Sequence, residues 1–209
     1  MALNPQELFW KTQIGSFYMQ DNAEFDEKLG IKAWNIMLGS ATFDKDSFSF
    51  LECGSNIGRN IEFLKKIYPS CSASVIEING QALEICLSKN QIDSSFLGSL
   101  LEVQVDEKFD LVYSTQVLIH VNPQDLLNVM QRMFDWSKKY ILIAEYFNRN
   151  LVTIPYRGSN NKLFKRDFGK LFIENFNVKC IDYGFLWGYE YDSAGFDDVT
   201  WWLFEKKIN

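Results

Sequence analysis

Apolar and polar positions follow two different rhythms along this chain. Residues 5–38 carry apolar side chains at helical spacing, among them Leu8, Phe9, Ile14 and Tyr18, then Leu29, Trp34, Met37 and Leu38. Gly15 and the polar stretch Gln20-Asp21-Asn22 interrupt that pattern, which predicts two helices with a bend or loop between them. After the turn residues Asp44–Ser47, short apolar runs alternate with helical stretches. The runs predict strands over Ser47–Cys53, Ser72–Ile78, Ser95–Leu101, Phe109–Ser114, Tyr140–Glu145, Val178–Phe185 and Val199–Glu205. Helices are predicted after Ile57, over Asn79–Asn90, from Pro123 with Asn122 as N-cap, and over Lys165–Glu174.

Strand–helix alternation predicts a doubly wound, mostly parallel sheet of seven strands with right-handed crossovers. Nothing helical separates the last two strands, so they are read as a hairpin whose final strand runs antiparallel. The expected organisation is an N-terminal helical cap over 1–44 and a Rossmann-like α/β domain over 45–209. Tyr140–Glu145 is apolar without alternation, as a strand covered on both faces requires.

Composition narrows the classes. The chain has 209 residues, 47% of them apolar and 23% charged, as in an ordinary globular protein with a full core. Its net charge of −6 and lack of a basic block disfavour a nucleic-acid substrate. Four cysteines, Cys53, Cys71, Cys86 and Cys180, show no metal-ligand spacing and read as reduced thiols of a cytoplasmic protein. No secretory leader and no membrane-length apolar run are expected. Aromatics make up 16% of the residues, which fits a bulky core or an aromatic-lined pocket.

The chemistry concentrates after the first predicted strand, at Glu52-x-Gly54-x-x-x-Gly58. Gly54 permits a sharp turn close to a ligand, and Gly58 permits tight packing where a helix begins. Asn56 stands where a pyrophosphate cradle would want a third glycine, which favours a ligand without phosphates. Gly58 is followed by Arg59, so the P-loop pattern is absent too. Glu77 ends the second strand 23 positions on (77 − 54), where a carboxylate accepts hydrogen bonds from both hydroxyls of a ribose.

These residues resemble the class I S-adenosylmethionine-dependent methyltransferases over roughly 45–209. Glu52-x-Gly54-x-x-x-Gly58 is similar to that family's first motif, Phe109-Asp110-Leu111-Val112-Tyr113 to its fourth-strand motif, and Val117-Leu118-Ile119-His120-Val121 to the segment after it. More narrowly, the chain resembles the methylases associated with pseudaminic acid biosynthesis. The residues in question are Phe9-Trp10 with Gly15 and Tyr18, Leu118-Ile119-His120, Ile141 to Tyr146, Pro155-Tyr156-Arg157-Gly158, Leu163 to Phe168, and Asp197-Asp198-x-Thr200-Trp201. The resemblance implies S-adenosylmethionine as cofactor. It would be held by Trp10, Tyr18, Glu52, Gly54, Ser55, Asn56, Gly58, Glu77, Ile78, Gly98, Ser99, Ser114 and Thr115. The acid often found after the third strand is missing, with Ser99 near its place, so Leu97 to Leu100 would meet adenine through backbone and apolar contacts.

His120, the only histidine, and Glu145 and Tyr146 at the fifth strand's end are the candidates for activating a methyl acceptor. A helix-start role for His120 and a solvated strand end for Glu145 stay open. Tyr156, Arg157, Lys165 and Arg166 lie where small-molecule methyltransferases carry substrate loops, and Arg157 suits a carboxylate or phosphate. The implied partner is a small polar molecule accepting the methyl group on oxygen or nitrogen. A non-catalytic cofactor-binding subunit and a nicotinamide-dependent oxidoreductase are the rival readings.

Overall fold

A computed structural model describes residues 3–12, 24–44, 47–156 and 158–207. Tyr18 and Arg157 lie outside the described residues, as do Ile14 and Gly15.

Seven strands form one sheet: β1 (Ser49–Cys53), β2 (Ser72–Glu77), β3 (Ser94–Leu97), β4 (Phe109–Thr115), β5 (Ser137–Glu145), β8 (Val178–Leu186) and β9 (Val199–Lys206). Their order is β3-β2-β1-β4-β5-β9-β8, with β9 antiparallel to both neighbours and every other pair from β3 to β5 parallel. This is the doubly wound sheet expected. The order reverses between β1 and β4, so their carboxyl ends open a crevice where α/β sheets bind ligands.

Among the described residues, seven α-helices accompany the sheet: α1 (Pro5–Lys11), α2 (Glu27–Leu38), α3 (Arg59–Ile67), α4 (Gly80–Lys89), α5 (Leu126–Trp136), α6 (Phe168–Asn175) and α7 (Gly188–Tyr191). One face of the sheet packs on Trp34 and Met37 of α2, Ile61, Phe63 and Leu64 of α3, and Leu83 and Cys86 of α4. The other packs on Val129, Met130 and Met133 of α5 and Phe168 and Phe172 of α6. Trp34 is fully buried, its ring edge-on to Tyr113 of β4 at 4.8 Å between centroids.

Three local expectations need correction. Pro123 does not open a helix: Asn122 Oδ1 accepts the Gln124 amide and its carbonyl accepts the Asp125 amide, a tight turn that delays α5 to Leu126. Residues 152–165 hold an antiparallel pair, β6 (Val152–Tyr156) and β7 (Ser159–Lys165), so α6 starts only at Phe168 under an Asp167 cap. Pro155 hid the first of these strands, because proline is confined to strand edges. Finally, β8 and β9 pair antiparallel as expected, yet α7 and a 3₁₀ turn over Asp192–Ala194 lie between them. No helix among the described residues is long and apolar enough to cross a membrane.

Candidate active site

Gly54, Asn56 and Gly58 all take left-handed backbone conformations, with φ of 82°, 48° and 85°. The Gly54 and Ser55 amides donate to the Ile76 carbonyl, fastening the turn to the neighbouring strand. A Cβ on Gly54 would sit 2.6 Å from Val117 Cγ2, so only glycine lets these two segments meet. Gly58 caps α3 against α4, where a Cβ would lie 2.4 Å from Asn90 Nδ2. Asparagine is the residue that best tolerates this conformation after glycine, which explains how Asn56 replaces the third glycine.

Glu77 ends β2 with its carboxylate tied down at both oxygens. Oε2 accepts the Asn56 amide at 2.7 Å and Oε1 the Asn79 amide at 2.9 Å. Burial pushes its pKa up, while these amides oppose that by stabilising the charged form. The Ile78 amide favours the charged form as well, and the residue lines a cavity.

That cavity, about 1210 Å³ including its open mouth, lies over the carboxyl ends of β1, β2, β3 and β4. Trp10, Gly54, Ser55, Asn56, Glu77, Ile78, Gly98, Ser99, Thr115 and His120 line it, ten of the residues singled out from sequence. The helix α1 closes one side with Gln6, Glu7 and Trp10. Asn4 caps it, and the Glu7 carboxylate accepts the Ser99 hydroxyl. Asn79 Nδ2 donates to the Trp10 carbonyl at 3.1 Å, and Asn4 Nδ2 to Asp125 at 3.0 Å. Ser99 therefore belongs to the wall, with its hydroxyl engaged by the protein.

His120 ends a 3₁₀ turn (Leu118–His120) after β4. Its Nδ1 lies 2.6 Å from the Lys162 carbonyl of β7. A carbonyl only accepts, so Nδ1 carries the proton and Nε2 keeps a lone pair. Burial lowers the ring's pKa to about 4, so it is neutral at pH 7. Trp10 and Tyr156 flank it, with ring centroids 4.4 and 5.2 Å away.

Several other sequence candidates sit elsewhere. Glu145 is fully buried and does not line the cavity. Its carboxylate accepts the Ser114 hydroxyl and the Val117, Leu118 and Ile119 amides, fixing the start of the turn that carries His120. Burial pushes it up to about 7. Glu52 is equally buried, beneath the cavity floor, and held by Asn60. Tyr146 receives Gln116 Nε2 on its hydroxyl and has Lys165 Nζ 4.9 Å from its ring centre, and neither lines the cavity. Arg166 and Tyr156 also stay out of its wall.

Asn60, Asn79 and Gln116 line the cavity without having been singled out from sequence. Asn79 was detectable as a helix cap directly after the strand-end acid, since its side chain accepts the Gln81 and Ala82 amides. Asn60 Nδ2 donates to Glu52 Oε1 and to Thr115 Oγ1, each at 2.8 Å. Gln116 has a φ of 56°, an uncommon conformation that turns the chain at the cavity's edge.

The residues fit an adenosyl amino acid. A glycine-lined turn permits close approach, a fixed carboxylate lines the crevice, and apolar Leu100, Leu101 and Val129 line the same cavity. Residues 51–139 match a family described as a methyltransferase domain. A search of curated protein sequences finds no match. Among solved structures, the chain is similar to coclaurine N-methyltransferase bound to N-methylheliamine and S-adenosylhomocysteine. The TM-score is 0.64 at 13% identity, covering 79% of this chain and 53%, about half, of that one. N-methyltransferase NodS from Bradyrhizobium japonicum, in complex with S-adenosylhomocysteine, gives 0.64 at 16% identity over 87% of each chain. Magnesium protoporphyrin IX methyltransferase from Synechocystis, with bound S-adenosylmethionine, gives 0.65 at 12% identity over 99% of each. Residues 51–139 thus match a methyltransferase domain, and the chain shares the Rossmann-like fold of those enzymes.

Proposed function

We propose that the chain transfers a methyl group to an oxygen or nitrogen of a small polar molecule. The observation that carries this reading is one cavity with Glu77 in its wall and the neutral His120 in the same wall after β4. When bound, S-adenosylmethionine supplies an electrophilic methyl group on a sulfonium. Glu77 accepts the ribose hydroxyls, the Gly54–Asn56 backbone meets the methionyl end, and Leu100 and Leu101 flank the adenine. The wall helix α1, one of two helices described within the proposed cap over residues 1–44, would hold Trp10 against His120 and exclude water.

His120 Nε2 faces the acceptor and receives its proton. For an oxygen acceptor a base with a pKa near 4 suffices, because the hydroxyl proton becomes strongly acidic as the methyl group bonds to the oxygen. A nitrogen acceptor would enter as the neutral amine, whose lone pair takes the methyl group with no base, the resulting ammonium losing its proton to solvent. Alignment contributes up to about 7–11 kcal/mol to such displacements, and a positioned base roughly 10²–10⁴-fold. Glu145 is a positioning residue: it holds the turn that places His120. Tyr156, Lys165 and Arg166 would border the acceptor's approach, and the cationic groups of Lys165 and Arg166 suit an anionic sugar or amino-acid-like compound. Arg157, outside the described residues, is offered for the same role on its sequence alone. The resemblance to pseudaminic acid-associated methylases points the same way. Four free cysteines fit a reducing cytoplasm.

Incubation with S-adenosylmethionine and pooled small metabolites, read by mass spectrometry, tests the proposal. The expected result is a product heavier by about one CH₂, together with S-adenosylhomocysteine. Absence of both across sugars, sugar acids and amines would sink it.

A further inference from the structure

Strand β8 is an edge of the seven-stranded sheet, paired only with β9. Its second half alternates strictly between the two faces. A Cβ on Gly184 would meet the Trp201 ring at 2.8 Å, and Leu186 lies in the core cluster with Trp34, so both turn to the α2 face. Tyr183 and Phe185 turn to the α6 face, opposite Trp202 and Thr200 of β9. Trp187 is still extended, with φ −75° and ψ 119°, and continues the row. Tyr189 stacks on it, ring centroids 4.7 Å apart. Tyr183, Phe185, Trp187 and Tyr189 are 72%, 57%, 55% and 84% exposed. At 150–250 Å² for each full ring, the row presents on the order of 400–650 Å² of aromatic surface. Patches of that size on a single chain mark interaction sites.

An edge strand also leaves backbone groups that its one neighbour does not pair. In β8 that row is guarded at its start and open afterwards. A register shift between Cys180 and Asp182 bends the strand, and Asp182 Oδ1 accepts the Tyr183 amide while Oδ2 accepts the Ser40 hydroxyl. The Tyr183 amide thus points away from β9, and by the period of two so do the amide and carbonyl of Phe185. Neither a proline nor a charged side chain guards Tyr183–Trp187.

We propose that this edge is a homodimer interface, in which β8 pairs antiparallel with β8 of a second copy about a twofold axis at Phe185. Each Phe185 amide then donates to the other's carbonyl, and Tyr183 lies beside Trp187 of the second copy. Aromatic cross-strand pairs of this kind stabilise antiparallel sheets. With the axis normal to the sheet, both aromatic rows share one face, between the two α6 helices. Charge favours a second copy as occupant. Lys179 is exposed and is the only basic residue from Val178 to Phe204. This register carries it toward the exposed Glu190 and Asp192 of the other copy. The area agrees as well: two rows bury on the order of 800–1,300 Å² of ring surface, and the paired backbones bring the total into the 1,200–2,000 Å² of a stable interface.

Sedimentation velocity of the intact chain over roughly 1–100 μM should show a concentration-dependent dimer. Phe185→Arg places two like charges at the axis and should raise the dimer dissociation constant at least about tenfold, with far-ultraviolet circular dichroism retained. Leu151→Arg, at an exposed apolar residue elsewhere, should leave the dimer intact. Under mild oxidation Phe185→Cys should form a disulfide-linked dimer and the wild type should not, because opposed residues of a hydrogen-bonded antiparallel pair lie about 5.5 Å apart at Cα. A wild type that stays monomeric throughout, a dimer indifferent to Phe185→Arg, or one lost equally in Leu151→Arg overturns the proposal. So does a Phe185→Cys chain that cross-links no more than the wild type.

Discussion

The His120 imidazole is bound through Nδ1 to the backbone carbonyl of Lys162, 2.6 Å away and 42 positions along the chain. This contact joins the turn after β4 to strand β7 and decides which ring nitrogen faces the cavity. His120→Ala should therefore lower kcat by about 10²–10⁴-fold while leaving S-adenosylhomocysteine affinity nearly unchanged. Single-turnover rates alongside calorimetry separate the two. Near-normal turnover would remove the histidine from the chemistry.

The low pKa of His120 gives a second expectation. With burial holding it near 4, the ring remains neutral from pH 5 upwards. A kcat profile should thus show no ascending limb between pH 6 and 7, where an ordinary histidine titrates. A limb centred near 6.5 that disappears in His120→Gln would show that the ring protonates freely.

Gly54→Ala puts a Cβ 2.6 Å from Val117 Cγ2 in a left-handed backbone that side chains disfavour. The strain should cost about 1–3 kcal/mol of stability. Displacement of Val117 should also misplace the cavity wall, weakening cofactor binding at least tenfold. Gly158→Ala is the control: its φ is 77°, but nothing lies within 4 Å of the new Cβ. Its loss should be confined to stability, and comparable losses of cofactor affinity would show that steric contact at Gly54 does not matter.

What the sequence made legible were sites where the backbone demands a residue type. Gly54 and Glu77 were readable because a left-handed turn needs glycine and a strand-end acid has one usual partner. The alternation of apolar runs likewise predicted the sheet, since buried parallel strands tolerate little else. The carbonyl of Lys162 was not readable, because any residue supplies one. Glu145 was placed correctly at the end of β5, but strand position does not say which way a side chain turns. Its carboxylate turned inward to three backbone amides. Asn60 carries no signal at all until Glu52 and Thr115 are seen on either side of it.

Glu145→Gln tests that inward role. Glutamine keeps one carbonyl for the Ser114 hydroxyl and the Val117 and Leu118 amides, but its NH₂ group would face the Ile119 amide. Two donors then oppose each other in a buried site, costing about 1–3 kcal/mol. Thermal melts should show that loss, and kcat should fall through displacement of His120 with cofactor affinity retained. Full stability with a loss of activity confined to the chemical step would instead make Glu145 a direct participant.

The same carboxyl groups shape stability against pH. Glu52 and Glu145 have folded pKa values raised to about 8 and about 7, above the 4.5 of an unfolded chain. Between those values the native state holds protons that the unfolded state has released. Stability must therefore fall as pH rises, by about 1.4 kcal/mol per pH unit for each full proton of difference. His120 acts in the opposite sense and only below 6.5, where the unfolded chain takes a proton that the buried ring refuses. Above pH 6.5 the carboxyl effect stands alone among these groups, and the melting temperature of the ligand-free protein should decline toward pH 8.5. General charge repulsion in an acidic protein would add to that slope, so Glu52→Gln is the decisive comparison. It removes one titrating group without changing the charge of a protonated Glu52, and its melting temperature should decline less steeply. An identical slope in the variant would mean that Glu52 is already ionised at neutral pH.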